Sequence, residues 1–232
     1  LAKKMGKTPV VVKDAPGFLV NRILSPYLGE AVRLLLEGVP MEAIDKGMRK
    51  FGMPVGPIEL LDDVGIDVAA KGAETLSAAW PERMPIDPAF GKLVTSGRLG
   101  RKTKKGFYRY EGDKRVGPDP QAYADLGVAS PGSASLSQEA LEARLIYPMI
   151  NEAAYCLAEE IVPGPDKLDL AMIFGIGFPP FRGGPCAFAD SRGASAVADA
   201  LSRLASEKGP RFNPAPLLAD MAKQGKTFFG KE

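Results

Sequence analysis

The stretch Arg22-Ile-Leu-Ser-Pro-Tyr-Leu-Gly-Glu-Ala31 recurs later in the same chain as Arg144-Leu-Ile-Tyr-Pro-Met-Ile-Asn-Glu-Ala153. The arginine, the proline and the Glu-Ala pair keep their spacing, and the positions between them stay mostly apolar. Further on, Leu168-Asp169 corresponds to Ile44-Asp45, and Phe174-Gly175 to Phe51-Gly52. Two copies are too few for a solenoid, because each unit of a solenoid needs neighbours on both sides to bury its faces. They fit a tandem duplication of one helical domain. The copies differ at one informative place: Asn21 in the first is Ala143 in the second. Any chemistry that needs that amide belongs to the first copy.

Around Asn21 the pattern is helical. Phe18, Leu19, Ile23, Leu24, Leu28, Val32, Leu35 and Leu36 form a broad apolar face, predicting a helix over residues 14–37. Asp14 is placed to cap it, and Pro16 suits a first turn, where no amide hydrogen is required. Pro26 predicts a kink. Further helices are predicted over 40–51, 58–64, 67–79 and 90–96, with a short extended piece at Gly106-Phe-Tyr-Arg-Tyr110. Residues 111–135, rich in Gly, Pro, Asp and Ser, read as a linker. A second helical segment starts near Leu136 with Ser137 and Glu139 in its first turn, and helices at 194–208 and 214–225 close the chain. Pro9-Val-Val-Val12 is a β-branched run with strand character.

Several kinds of chemistry are excluded by residue type. The 232 residues contain no histidine, which removes Ser-His, Cys-His and histidine-metal catalysis. Cys156 and Cys186 show no ligand spacing and suit free thiols in a cytosol-like compartment. Glu59, Asp62 and Asp63 lack calcium-loop spacing and read as solvated faces and helix ends, so no metal site is expected. The net charge of +2 does not call for nucleic acid. No apolar run suggests a membrane span, and no signal peptide follows Lys3-Lys4. No Gly-x-Gly-x-x-Gly opens a helix: Gly175-Ile-Gly177 is followed by Phe178-Pro179-Pro180. The basic run Arg98, Arg101, Lys102, Lys104 and Lys105 reads as a solvated loop, with CoA phosphates or a partner subunit as the other option.

The run D-A-P-G-F-L-V-N-R-I-L-S-P-Y-L-G-E-A resembles the opening of the C-terminal domain of 3-hydroxyacyl-CoA dehydrogenases. The likeness continues through F-G-M-P-V-G-P-I-E-L-L-D-D-V-G-I-D and G-R-K-T-K-K-G-F-Y-R-Y. The second copy, with P-M-I-N-E-A-A and G-I-G-F-P-P-F-R-G-G-P, is similar to the last domain of the α subunit of fatty acid oxidation complexes. The resemblance implies an all-α fold of two tandem domains, residues 14–110 and 136–232, packed on each other like the dimer of single-copy relatives. Residues 1–13 would be the end, with a leftover strand, of an NAD-binding domain outside this chain. That domain would hold NAD and the catalytic His–Glu pair, leaving no catalytic residue here. Asn21 would position the acyl-CoA substrate, and Phe174 would offer an apolar wall where relatives often carry Tyr; a buried core role for Phe174 is the other reading. The parent would be a cytoplasmic bacterial β-oxidation enzyme oxidising 3-hydroxyacyl-CoA to 3-ketoacyl-CoA, with an enoyl-CoA hydratase domain and a thiolase β subunit as partner. A dehydrogenase without the hydratase, or a non-catalytic assembly module, fits the same residues.

Overall fold

The computed structural model describes residues 2–6, 8–128 and 136–230. Two long helices form its axis: α1 (Val20–Leu36) and α7 (Gln138–Ala158), one from each copy. They make the most extensive helix–helix contact in the molecule. The first copy continues with α2 (Met41–Phe51), α3 (Pro57–Val64), α4 (Ile66–Ala79) and α5 (Pro88–Thr95). The second continues with α8 (Pro165–Ile176), α9 (Pro185–Arg192), α10 (Ala194–Lys208) and α11 (Pro216–Gln224). Between the copies lie β1 (Tyr108–Glu111), β2 (Lys114–Pro118) and α6 (Pro120–Leu126). The fold is all-α apart from this one antiparallel hairpin among the described residues.

The copies pack reciprocally. Arg22 of α1 donates to Glu152 of α7 at 2.6 Å, and Arg144 of α7 donates to Glu30 of α1 at 2.8 Å. These are equivalent residues of the repeat, exchanged across the interface. Each pair grows into a cluster of the same design. Arg22 also reaches Glu159 at 2.7 Å, and Arg83 joins Glu152 and Glu159. On the other side Arg144 reaches Glu37 at 3.0 Å, and Arg211 joins Glu30 at 2.6 Å. Helix α8 touches α1 while α2 touches α7, again in reciprocal fashion. Residue i meets j and j meets i, which is the signature of a two-fold contact, here made within one chain. Buried guanidiniums stay charged in this setting. Burial acts against the charge on Arg22, but Glu159 and Glu152 outweigh it and raise its pKa. Burial also pushes Glu159 and Glu37 upward, yet Arg22 and Arg83 on one side, and Arg144 and Lys208 on the other, leave both below the ordinary glutamate value.

A second repeated device holds each copy together. Asp45 of α2 accepts from the backbone N–H groups of Ile58 and Glu59 at 2.9 and 3.2 Å, satisfying the first turn of α3. Asp169 of α8 does the same for α9, through Cys186 and Ala187 at 2.8 and 2.9 Å. These helix starts have no side-chain cap of their own, so a carboxylate from the preceding helix serves. Asp62 and Asp190 form a third pair: Asp62 receives Phe107 and Tyr108 N–H, and Asp190 receives Phe228 and Phe229 N–H. Burial raises Asp45, Asp62 and Asp169 to about 6 in spite of these donors.

Several expectations change. Helix α1 begins at Val20, because Gly17 and Phe18 both have positive φ (71° and 51°) and cannot continue a right-handed helix. Asp14 therefore does not cap it. The helix runs through Pro26, as α7 runs through Pro148. Residues 8–13 form no strand; the Lys13 N–H is instead bonded to Ile161 O of the second copy at 2.9 Å. The first part of the expected linker is structured. Gly112 (φ 59°) turns the β1–β2 hairpin, and Asp119 caps α6 by accepting from Gln121 N–H. Residues 129–135 of that linker lie outside the described residues. Arg98 is not solvated: it is fully buried and donates to Asp119 at 2.6 Å and Gly106 O at 2.9 Å. Asp62 is likewise a buried anchor and not a surface charge. Ser137, expected in the first turn of α7, lies just before it and caps it by accepting from Ala140 N–H.

Candidate functional site

Asn21 stands one residue inside α1, exposed, and its amide has no hydrogen-bond partner among the described residues. It lies at one end of a cavity of about 260 Å³ between α1 and α4. From α1 the wall is Asn21, Leu24, Ser25, Leu28 and Gly29, a single helical face. From α4 it is the row Val68, Gly72 and Leu76, spaced by four, with Val64 at the end of α3 beside it. The segment Met84–Asp87 and Phe90 close one side, and Pro148 and Phe212 of the second copy contribute to the lining. The chain enters this arrangement because Gly17 leaves room for Leu76: a Cβ on Gly17 would stand 2.9 Å from its methyl. Close approach there sets α4 beside the first turn of α1, and so puts the free amide at the edge of an apolar trough.

The far end is polar and fully partnered. Arg33 donates to Glu30 at 3.2 Å and to Pro85 O at 2.6 Å, with Asp87 at 3.7 Å. Asn21 is thus the lining amide left free for a ligand, whereas the charges at the other end are committed to each other. An amide can donate to one oxygen and accept from another without changing charge. It suits a neutral oxygen of a ligand, as a positioning group and not as acid or base.

Phe174 is 69% exposed, so the buried core reading fails. It also fails as the counterpart of Phe51, which is fully buried. Helix α8 ends two residues later than the alignment placed it. Gly177, not Gly175, ends it in a left-handed C-cap, the place that Gly52, also at positive φ, takes at the end of α2. Phe174 does not line the cavity, but its neighbour Gly175 faces Val20, where a Cβ would stand 3.0 Å from a valine methyl. Phe174 therefore sits near the start of α1, on the end that carries Asn21.

Other groups singled out by type are accounted for. Glu59 pairs with Arg49 and Arg115, and Asp63 with Arg101. No group of three or more metal-ligating side chains occurs among the described residues. Lys102 and Lys104 pair with Asp67 and Asp113, so most of the basic run is neutralised in place. Cys156 and Cys186 are free and buried, and burial pushes Cys156 up to about 12, far from a reactive thiolate. The one glycine pair that begins like a dinucleotide-binding turn does not form one. Gly175-Ile-Gly177 closes a helix and leads into a 3-10 turn (Pro180–Arg182), so it aims no helix N-terminus at a pyrophosphate. No helix of the described residues is long and apolar enough to cross a membrane.

A duplicated helical domain, packed on itself through exchanged Arg–Glu pairs and holding an amide at the edge of an apolar groove, defines the class. The chain belongs to the 3-hydroxyacyl-CoA dehydrogenase, C-terminal domain family, whose model matches residues 17–110 and again 142–229. It is similar to the fatty acid oxidation complex subunit alpha of Idiomarina loihiensis, 51% identical over 230 residues and 99% of this chain. The Shewanella halifaxensis protein of the same name is 48% identical over 229 residues and 98% of this chain. In both cases the match covers 32% of the relative, so the chain spans about a third of the length of these relatives. Among solved structures, 3-hydroxybutyryl-CoA dehydrogenase from Escherichia coli superposes with a TM-score of 0.77 at 23% identity, over 95% of this chain and 62% of that one. That likeness concerns the fold alone. The dehydrogenase part of multifunctional enzyme 1 from Caenorhabditis elegans gives 0.68 at 26% identity, over 94% and 50%.

Proposed function

We propose that this chain is the substrate-positioning and assembly region of a longer β-oxidation enzyme that oxidises 3-hydroxyacyl-CoA to 3-ketoacyl-CoA with NAD. The observation that carries the reading is the unpartnered Asn21 amide at the mouth of an apolar groove, in a chain 51% identical to a fatty acid oxidation complex subunit alpha. The thioester substrate's 3-oxygen would accept a hydrogen bond from the Asn21 amide, and its acyl chain would enter the groove. NAD and the proton acceptor would come from a domain outside these residues, a reading supported by the lack of histidine in the chain and by the helix end formed at Gly175-Ile-Gly177. Phe174, exposed beside the same end of α1, would add an apolar contact for substrate or for that domain. A hydratase domain and a thiolase partner belong to the same reading through the sequence resemblance, and the relatives' name, subunit alpha of a complex, fits a further subunit.

Two outcomes follow. The 232-residue chain alone should not turn over acetoacetyl-CoA with NADH, followed by absorbance; turnover by contamination-free protein would refute the division of labour. In the full-length enzyme, Asn21→Ala should lower kcat/KM about five- to hundredfold, the loss of one hydrogen bond worth about 1–3 kcal/mol once bound substrate has displaced water from the amide. If the bond strengthens as the ketone forms, kcat falls; if it only holds substrate, KM rises alone. Hydratase activity and the melting temperature should be nearly unchanged. Wild-type dehydrogenase kinetics in this variant would make Asn21 an ordinary polar residue on a packed helix.

A further inference from the structure

The groove does not end at Asn21's neighbourhood. It follows α1 as far as Arg33, twelve residues further along the same helix. At 1.5 Å per residue that is about 18 Å. An extended hydrocarbon with bonds of about 1.5 Å advances about 1.25 Å per bond and covers this distance in about fourteen to fifteen carbons. Along the way the walls are apolar: Leu24 and Leu28 on α1, Val68 and Leu76 on α4, and Phe212 from the second copy. The stop is chemical. Arg33 is held by Glu30, Asp87 and the Pro85 carbonyl, and Glu30 is itself held by Arg144 and Arg211 of the second copy. A terminal methyl pushed against this cluster would have to displace ion pairs that are mostly buried, with no polar group to replace them.

From this geometry we infer that the α1–α4 groove is a ruler for the acyl chain, and that the Arg33 cluster, pinned from the second copy, sets its limit. The inference deepens the proposed function and rests on it. The second copy, which lacks the amide, thereby contributes to substrate selection through Phe212, Arg144 and Arg211. Activity should rise with chain length while methylenes fill the groove, and fall once the chain outruns Arg33.

Gly72 provides the test. It lies midway along the α4 row, and a Cβ added there meets nothing within 4 Å. Gly72→Phe in the full-length enzyme therefore fills the groove without a backbone clash, and replacing an interior helix glycine favours the helix. Kinetics are measured with 3-hydroxyacyl-CoA substrates of C4 to C16. The ratio of kcat/KM for C16 over C4 should fall at least about tenfold, since single methylenes in an apolar pocket are worth about tenfold or more. Arg33→Met, which replaces the charged stop by an apolar side chain, should raise the same ratio. Gly72→Ala serves as the folding control, with a melting temperature at or above that of the wild type. An unchanged C16/C4 ratio in both Gly72→Phe and Arg33→Met overturns the ruler. A normal response of all chain lengths to Asn21→Ala in that case would leave the proposed function standing. Loss of the Asn21 effect at C4 would instead remove the reading beneath it.

Discussion

Replacing Arg22 by methionine should destabilise the chain by about 3–5 kcal/mol, because it leaves Glu152 buried beside a single remaining guanidinium. Arg22 has no exposed surface, and Glu152 is 4% exposed. The guanidinium also stacks on Trp80, its central carbon 3.9 Å from the ring centroid, so the substitution loses a cation–π contact as well. Arg144→Met should have a similar effect through Glu30, since it is the same residue of the repeat in the mirrored cluster. Combining Arg22→Met with Glu152→Leu should recover part of the loss. An apolar pair of similar volume avoids the desolvation that a lone carboxylate suffers, although Glu159 and Arg83 must then satisfy each other. Urea unfolding of the four proteins closes the cycle. A loss below about 1 kcal/mol for Arg22→Met would mean that the pair acts like an exposed salt bridge and does not organise the interface.

Gly184→Ala should cost about 2–6 kcal/mol, from two sources acting together. Gly184 has φ 103°, a region that an L side chain enters only under strain, worth about 1–3 kcal/mol. A Cβ there would also overlap the carboxyl group of Asp169, and overpacking a full site adds about 1–3 kcal/mol. Asp169 cannot move aside without giving up the Cys186 and Ala187 N–H groups it satisfies. The matching change in the first copy, Gly56→Ala, meets Asp45 in the same way but at φ −72°. It should lose the overlap cost alone. The difference in unfolding free energy between the two variants therefore isolates the backbone strain. Equal losses would show that φ contributes nothing measurable at Gly184.

Much of the fold was legible from local rules. The repeat, the helical segments and the helix start near Ser137 follow from periodicity and residue type, which need no distant partner. The hairpin and α6 carried signals as well, a Gly-Asp turn and an Asp-Pro helix start, but a run rich in Gly, Pro and Asp hid them. The start of α1 was not legible, because consecutive positive φ values at Gly17 and Phe18 answer to the close approach of Leu76, far along the chain. Phe174 was misaligned for a similar reason. A shift in where α8 ends changes which side of it is buried, and only packing reveals it.

The sequence by itself determined that this is a duplicated all-α chain with one amide-bearing copy and no histidine. Those properties rest on residue type and spacing, which need no partner to be read. The tertiary structure decided which charges are exchanged. Arg22, Glu30, Arg144 and Glu152 look like ordinary helix-surface residues in sequence, and they become a buried interface only when α1 and α7 meet. It also decided that Asn21 stands free at the edge of a groove while Arg33 is pinned at its end. The physical reason is that hydrogen bonding and burial are properties of neighbours, and these neighbours lie on another helix or in the other copy.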